Sequence, residues 1–405
     1  MEKVWDFVWN KLFDERTCMF YNYLTGHEPD AATKYLPEPK LIQLHVPNPA
    51  GYGTAMEDCM LNAGLMMDAV VSRYEVSGDT EMKTYADKIF RGMELDATVS
   101  PQKGFLPRGV SPADCQSHYI DTSRDQYTNW IYGAFRFYYS DLSDDRQKEI
   151  IRHILIAMSE KMEAEIIPQN NHCFLREDGK IGSVGQMWGD IHSHEFLRLP
   201  MLYLLTWKTT KIKHFETLYL RYRDEALIKT MDHVPLSGPT YAGLQLQFSL
   251  RLVHDLDGAS EVKEACAKFM KKMSAPYLEM SVEKSAELMT EEGSEWLAIP
   301  YVNWKEAKAR YAGIWGELAY FIPEPTDSRE HLSYYALRAV GEGFAVASLC
   351  PNIEIPNDKL QILCRMAEFV DYGKHSTCAP IALLQGYWLA KRSRYYLDSP
   401  FGFVI

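Results

Sequence analysis

The chain has 405 residues, 46% hydrophobic and 24% charged, a composition that suits a folded globular protein with a large core. Net charge is −12 and no run of lysine or arginine is long enough to track phosphates, which argues against nucleic acid and anionic membrane surfaces as partners. Eight cysteines (Cys18, Cys59, Cys115, Cys173, Cys266, Cys350, Cys364 and Cys378) share no CxxC or zinc-like spacing and read as free thiols; no stretch approaches the roughly 20 apolar residues of a membrane span.

The N-terminal MEKVWDFVWNKLF predicts an amphipathic helix near 2–14. It carries acids rather than the basic head of a signal peptide, so a cytoplasmic location is expected, or a periplasmic one if a signal has been removed. A Pro-rich stretch follows at 36–53. Helical periodicity then predicts helices near 54–76, 80–95, 123–140, 144–163, 189–208, 211–231, 240–255, 259–285, 304–321, 330–349, 356–371 and 378–392. Ser77, Gly78 and Asp79 separate two of them, Ser143 is a candidate cap for the next charged helix, and Pro235 and Pro239 bracket another break. A short β-ribbon is expected at 173–184, where Asp178-Gly179 suits a two-residue turn.

The helices that start near 54, 123, 189 and 240 are apolar-rich, and each is followed by a more charged partner such as EMKTYADKIF or DDRQKEIIRHI. Apolar then charged, repeating every ~50 to 70 residues, is what a ring of α-hairpins needs if one helix of each pair lines the inside and the other faces water. The expectation is therefore an all-α protein, an (α/α)6 toroid in a single domain over 1–405. Loops entering the inner helices gather at one end of such a ring, so polar residues at those entries are the candidate site.

Three entries stand out. In GYGTAMEDCM, Glu57 and Asp58 fall in the first turn of an inner helix, where the helix dipole favours acids whether or not they meet substrate. In GFLPRGVSPADCQSHYIDTSRDQYTNW, Asp121 and Asp125 are candidate carboxylates, with Arg108 and Arg124 for positive charge and Tyr127 and Trp130 for rings. A carboxylate among such groups can have its proton affinity moved either way, or can be a capping residue in a structural ion pair. In QMWGDIHSHEFLR, a zinc site is disfavoured: His192 and His194 are two residues apart, about 200° around a helix, and HExxH lacks its second histidine. What remains is Asp190 with His194 one turn later and Trp188 before them, either a reactive carboxylate with sugar contacts or the polar start of a helix.

SRDQYTNWIYG and GQMWGDIHSHEFLRLPMLYLL, on alternate helices of the expected ring, resemble the six-hairpin glycosidase clan, above all its unsaturated glucuronyl and rhamnogalacturonyl hydrolases and related bacterial glucuronidases. The resemblance implies a glycoside hydrolase acting on a uronic-acid-containing oligosaccharide. It implies catalysis by Asp190, matched to a W-x-D segment, and Asp125, without metal or cofactor. Arg108, Arg124 or Arg198 would hold the uronate, and Asp58, Asp121, Tyr127, Trp130, Trp188, His194 and Tyr241 are further substrate contacts. One carboxyl would donate a proton and the other activate water or stabilise positive charge on the ring. The alternatives are a toroidal polysaccharide lyase using Asn171 and His172, a sugar epimerase, or a sugar-binding helical protein without chemistry. Glu292, Glu295, Glu342 and His375 also lie near expected helix entries.

Overall fold

A computed structural model of the chain describes residues 1–398 apart from 27, 29, 302–304, 306, 307, 312–320 and 325–327; side chains are described except within 308–333 and 395–398. Twelve helices of the described residues build the ring: α1 (Glu2–Phe7, running on as a π-helical turn, Val8–Leu12), α2 (Cys59–Ser77), α3 (Met82–Val99), α4 (Arg124–Tyr138), α5 (Asp145–Glu165), α6 (Arg198–Thr210), α7 (Lys213–Met231), α8 (Thr240–Leu256), α9 (Ser260–Leu288), α10 (Ser328–Ser348), α11 (Asn357–Phe369) and α12 (Pro380–Asp398). The even-numbered helices from α2 to α10 and α12 form the inner ring, each packed on the next with α12 closing on α2, and the odd-numbered ones stand outside. The protein is an (α/α)6 toroid.

Burial separates the two layers. In α2 every residue from Cys59 to Ser72 is buried, because helices surround it. In α3 only Met82, Ala86, Ile89, Phe90, Gly92, Met93 and Asp96 are buried, a stripe at helical spacing with charge on the remaining face. Inner and outer faces belong to one contiguous hydrophobic cluster. Local signals set some of the helix boundaries. Gly78 takes a left-handed φ of 66° after α2. α5 starts with a capping box one residue beyond Ser143, in which the Gln147 amide donates to Asp144 Oδ1 at 2.8 Å and the Asp144 amide to Gln147 Oε1 at 2.9 Å.

Helices α2, which follows Glu57 and Asp58, and α4, which carries Asp125, touch backbone to backbone. A Cβ on Gly64 of α2 would lie 2.2 Å from the carbonyl oxygen of Asn129 on α4, and one on Gly133 of α4 would lie 2.9 Å from the Gly64 Cα. The far end of the ring is filled. Tyr132 and Phe248 stack across it at 4.1 Å. Below them Arg136 donates to Asp68 (2.6 Å) and Glu75 (2.9 Å), Gln385 donates to Asp68 (2.8 Å), and Arg392 pairs with Glu75.

Two expectations are corrected. The helix expected over 189–208 begins only at Arg198: a β-ribbon, Cys173–Leu175 paired with Ile181–Gln186, runs into turns and a single 3-10 turn at Ser193–Glu195. Its apolar spacing mimics a helix because Trp188 packs edge-on against Phe196 and Tyr222 from an irregular backbone. The helix expected over 304–321 is replaced by a strand at Lys308–Tyr311, which pairs antiparallel with Phe321–Glu324; residues 304, 306, 307 and 312–320 lie outside the described residues. All eight cysteines are free.

Gly64→Ala is expected to destabilise the protein by about 3 kcal/mol in urea titration, the cost of forcing a methyl against backbone that cannot rotate away. A loss below about 0.5 kcal/mol would show that α2 and α4 can separate.

Candidate active site

The N-terminal ends of the inner helices open on a two-part cleft. One part, about 160 Å³, is lined by residues that include Glu57, Asp58, Arg108, Asp125, Tyr241 and Arg338. The other, about 350 Å³, is lined by residues that include Arg124, Asp125, His194, Glu195, His233 and Tyr241. Asp125 and Tyr241 belong to both and mark where they join.

Glu57 is carried by a loop whose tight path begins at Gly51, with φ of 68°, where a Cβ would strike the Tyr119 ring at 2.4 Å. Ala55 holds a φ of 72°, an unusual conformation for alanine, and its N–H donates to Glu57 Oε2 at 3.2 Å. Glu57 is 6% exposed. Burial, and then the negative charge of Asp58 beside it, push its carboxyl up to about 8, against weaker pulls from a hydrogen bond with Tyr23 and from Arg108.

Asp125, in the first turn of α4, is the opposite case. Its side chain is 27% exposed into the cleft and accepts a 2.5 Å bond from Arg198 Nη1. Enclosure alone would raise it, but the Arg198 and Arg124 guanidiniums outweigh that and hold it below the ordinary carboxylate range. Arg124 is itself fixed, by Glu195 Oε1 at 2.5 Å and by the Gln186 carbonyl at 3.0 Å. On the far wall Arg338 of α10 pairs with Glu342 (2.6 Å) and lies 5.1 Å from the Tyr241 ring centre. Burial raises Glu342 despite that arginine, and Thr240 donates to its other oxygen. Arg108 lies 4.2 Å over the Tyr52 ring, donates to the Tyr52 hydroxyl and to the Glu57 carbonyl (3.0 Å), and sits 3.8 Å from Asp58 Oδ1. Tyr23, Tyr334 and Tyr335 complete an aromatic rim.

The cleft thus brings together Asp58, Arg108, Arg124, Asp125, His194 and Tyr241 of the expected site, with Arg198 held on Asp125. It leaves out the others. Asp190 is exposed, in a turn before α6, and lines neither part of the cleft, so its expected position at the mouth of an inner helix is corrected. Trp188 is spent on Phe196 and Tyr222. Tyr127 is fully buried, accepting from the Leu106 amide (3.1 Å) and donating to the Gly104 carbonyl (2.9 Å), and buried Trp130 donates to the Met93 carbonyl at 3.0 Å. Asp121 ties the loop before α4 to the ribbon, accepting from Ser183 Oγ at 2.6 Å. Asn171 and His172 sit in left-handed turn positions ahead of the ribbon, outside the cleft. Glu292 and Glu295 are exposed on a short helix elsewhere, and buried His375 is tied to the Leu297 carbonyl at 2.9 Å.

Glu57, Glu342, Arg338 and the tyrosines Tyr334 and Tyr335 gain roles that spacing alone did not assign. Arg338 and Glu342 do carry an i,i+4 signal within the apolar stretch YYALRAVGEGFAVA, which marks a pair that must be satisfied internally. His194 is kept neutral: burial, then Arg198 and the neighbouring histidines, lower it to about 3. Among the described residues no three His, Cys, Asp or Glu side chains converge as a metal site, and no helix is long and apolar enough to cross a membrane.

No family model and no curated protein matches the chain. Among solved structures it is similar to a sugar epimerase from a ruminal bacterium, with a TM-score of 0.51 and 10% identity over 98% of this chain and 99% of that one. An inactive variant of an α-1,6-mannanase from a Salegentibacter species, in complex with α-1,6-mannotriose, gives a TM-score of 0.46 and 10% identity over 97% and 98%. The likeness to the epimerase is one of fold.

The raised Glu57 gives a pH signature. An unfolded glutamate loses its proton near the ordinary value of 4.5, whereas the folded one keeps it to about 8. Ionising Glu57 therefore costs the folded state increasingly as pH climbs between those values. Glu57→Gln should be close to neutral below pH ~4.5 and increasingly stabilising toward pH ~8, measured by urea unfolding across pH. A stability difference that does not change with pH would contradict the buried, protonated carboxyl.

Proposed function

We propose that the protein is a glycoside hydrolase that works by carboxylate acid/base catalysis, with Glu57 as proton donor and Asp125 as the ionised partner. The observation that carries this is that both carboxyls line one cleft while their surroundings push them to opposite protonation states at neutral pH. A protonated carboxyl can donate to the glycosidic oxygen as the bond breaks. An ionised one can activate water or stabilise the oxocarbenium-like ring. Asp125 is also one of the two carboxyls that the family resemblance of the sequence implies; Glu57 takes the place of Asp190 as the other.

The substrate class we infer is an oligosaccharide bearing a uronic acid. Arg108 and Arg338 on the walls of the smaller part supply guanidiniums beside tyrosine faces, and an anionic sugar meets there both charge and a stacking surface. Tyr335, which is 44% exposed, offers an open ring at the rim. His194 and His233 in the larger part suit contacts to sugar hydroxyls, since burial lowers both and leaves them neutral at physiological pH.

A second reading, sugar epimerisation, draws on that histidine grouping, in which the His192, His194 and His233 rings follow one another at 5.4 Å. An epimerase would bring solvent deuterium into a free sugar without change of connectivity, whereas a hydrolase incorporates solvent oxygen at the cleaved bond.

On a panel of uronyl oligosaccharides and aryl glucuronides, Glu57→Gln and Asp125→Asn should each lower kcat/KM by about 1,000-fold, while Asp190→Asn should stay within about twofold. Retained activity in Glu57→Gln, or its loss in Asp190→Asn, would overturn the assignment of the donor.

A further inference from the structure

A groove of about 590 Å³ runs between α1 and the end of α11, larger than either part of the cleft and lined by none of the same residues. Aromatic rings form part of its wall. Phe7 and Tyr372 meet there at 5.3 Å between ring centres, and Phe369, the last residue of α11, also lines it and is 36% exposed. Among the described residues, Tyr139, Tyr335 and Phe369 are the only Phe, Tyr or Trp side chains exposed to that degree. Tyr335 stands at the rim of the cleft, and Phe369 gives the groove the same kind of open ring face, on which a sugar can stack. Polar groups complete the lining. Lys3, Asp6, Asn10 and Lys11 come from α1 and its π-helical turn, and Glu368 from α11. No hydrogen bond or ion pair joins these five side chains to one another or to any other described residue, and the Tyr372 hydroxyl likewise has no partner among them. A small ion of either sign would meet like charge here, whereas a chain of hydroxyls, each able to donate and to accept, is matched by cation, amide and carboxylate alike.

The groove also leads to the cleft. From Gly373 in its wall the chain crosses to the cleft's edge, where the Leu24 amide donates to the Ser376 carbonyl at 2.7 Å and the Cys378 amide to the Asn22 carbonyl at 2.8 Å. Tyr23, between those two bonds, pairs with Thr377 and lines the smaller part of the cleft. Four positions separate Gly373 from Thr377, so the backbone of the groove and that of the cleft wall are at most about 14 Å apart. That is within the reach of one oligosaccharide. We propose that this groove is a second carbohydrate-binding site, outside the ring, that holds the hydroxyl-rich outer segment of a glycan whose end occupies the cleft. The proposal rests on the reading of the cleft as an oligosaccharide site. Phe369 is its stacking face, and Asn10, Lys11 and Glu368 are hydroxyl partners. A chain already held in the groove meets the cleft intramolecularly, which raises its effective concentration there.

The test is retardation of the full chain in native gels that contain soluble glucuronoxylan, polygalacturonate or mannan. The wild type is expected to be slowed by at least one of them, and Phe369→Ala to weaken that binding by about tenfold, the loss of one stacked ring. Glu368→Ala, at an exposed position, should weaken it in the same direction and is read alone if Phe369→Ala does not fold. Cleavage of a short aryl glucuronide, which does not extend beyond the cleft, should stay within about twofold in both variants. Unchanged retardation in the folded variants, or none of the wild type by any of the three polysaccharides, overturns the proposal. Retardation lost in Tyr335→Ala but kept in Phe369→Ala belongs to the cleft and overturns it too. A dimer in gel filtration that Phe369→Ala breaks, with sugar binding unchanged, makes a second copy the occupant and also overturns it. Because retardation needs no turnover, an aryl glucuronide left uncleaved refutes the hydrolase reading while the gels still decide the groove, and retardation that Phe369→Ala leaves intact refutes the groove while hydrolysis stands.

Discussion

Where Gly64 of α2 meets Gly133 of α4, no side chain keeps the two helices apart, and the distance between their N-terminal ends follows from that contact. At the closer spacing Gln126 on α4 reaches the Leu61 amide of α2 and the Glu57 carbonyl and Asp58 carboxylate just before it at once. One short side chain thus binds the two helix entries that carry the acids. A wider crossing would leave Gln126 with buried, unpaired polar atoms and would move Asp125 away from the cavity it shares with Glu57. The chemistry at the mouth depends on packing one to two turns below it.

The electrostatic pattern follows a simple division of labour. Asp125 is given arginines and an opening to the cleft. Glu57 is given burial, a tyrosine and a neighbouring anion. Two carboxyls of similar intrinsic acidity are thereby separated by environment alone. Three of the cleft's arginines are tied to carboxylates: Arg124 to Glu195, Arg338 to Glu342 and Arg198 to Asp125. An arginine held in this way keeps one geometry before substrate arrives, which lowers the ordering cost of binding.

Much of this could be read from the residues in order. The alternation of apolar and charged helices gave the ring, and the rule that inner-helix entries gather at one end pointed to Asp58, Arg108, Asp125 and Tyr241. Glu57 was visible but ambiguous, because an acid in a first helical turn looks the same whether it caps a dipole or faces a substrate. What decides between the two is burial, a property of the helices packed around it. Asp190 failed for a local reason: Gly189 adopts φ of 86°, and the ribbon that ends at Gln186 delays the start of α6 to Arg198. Apolar spacing cannot distinguish a helix from an irregular segment that lays the same residues on the same surface.

The far end of the ring has a different consequence. Among the described residues, Asp68, Glu75, Arg136, Arg392 and Gln385 join across the ring beside the stacked Tyr132 and Phe248 and fill its axis at this end. The toroid is a cup rather than a tube. Under the proposed hydrolase reading, whatever part of a sugar chain reaches Glu57 and Asp125 enters and withdraws by the same mouth, and each turnover clears that mouth before the next begins.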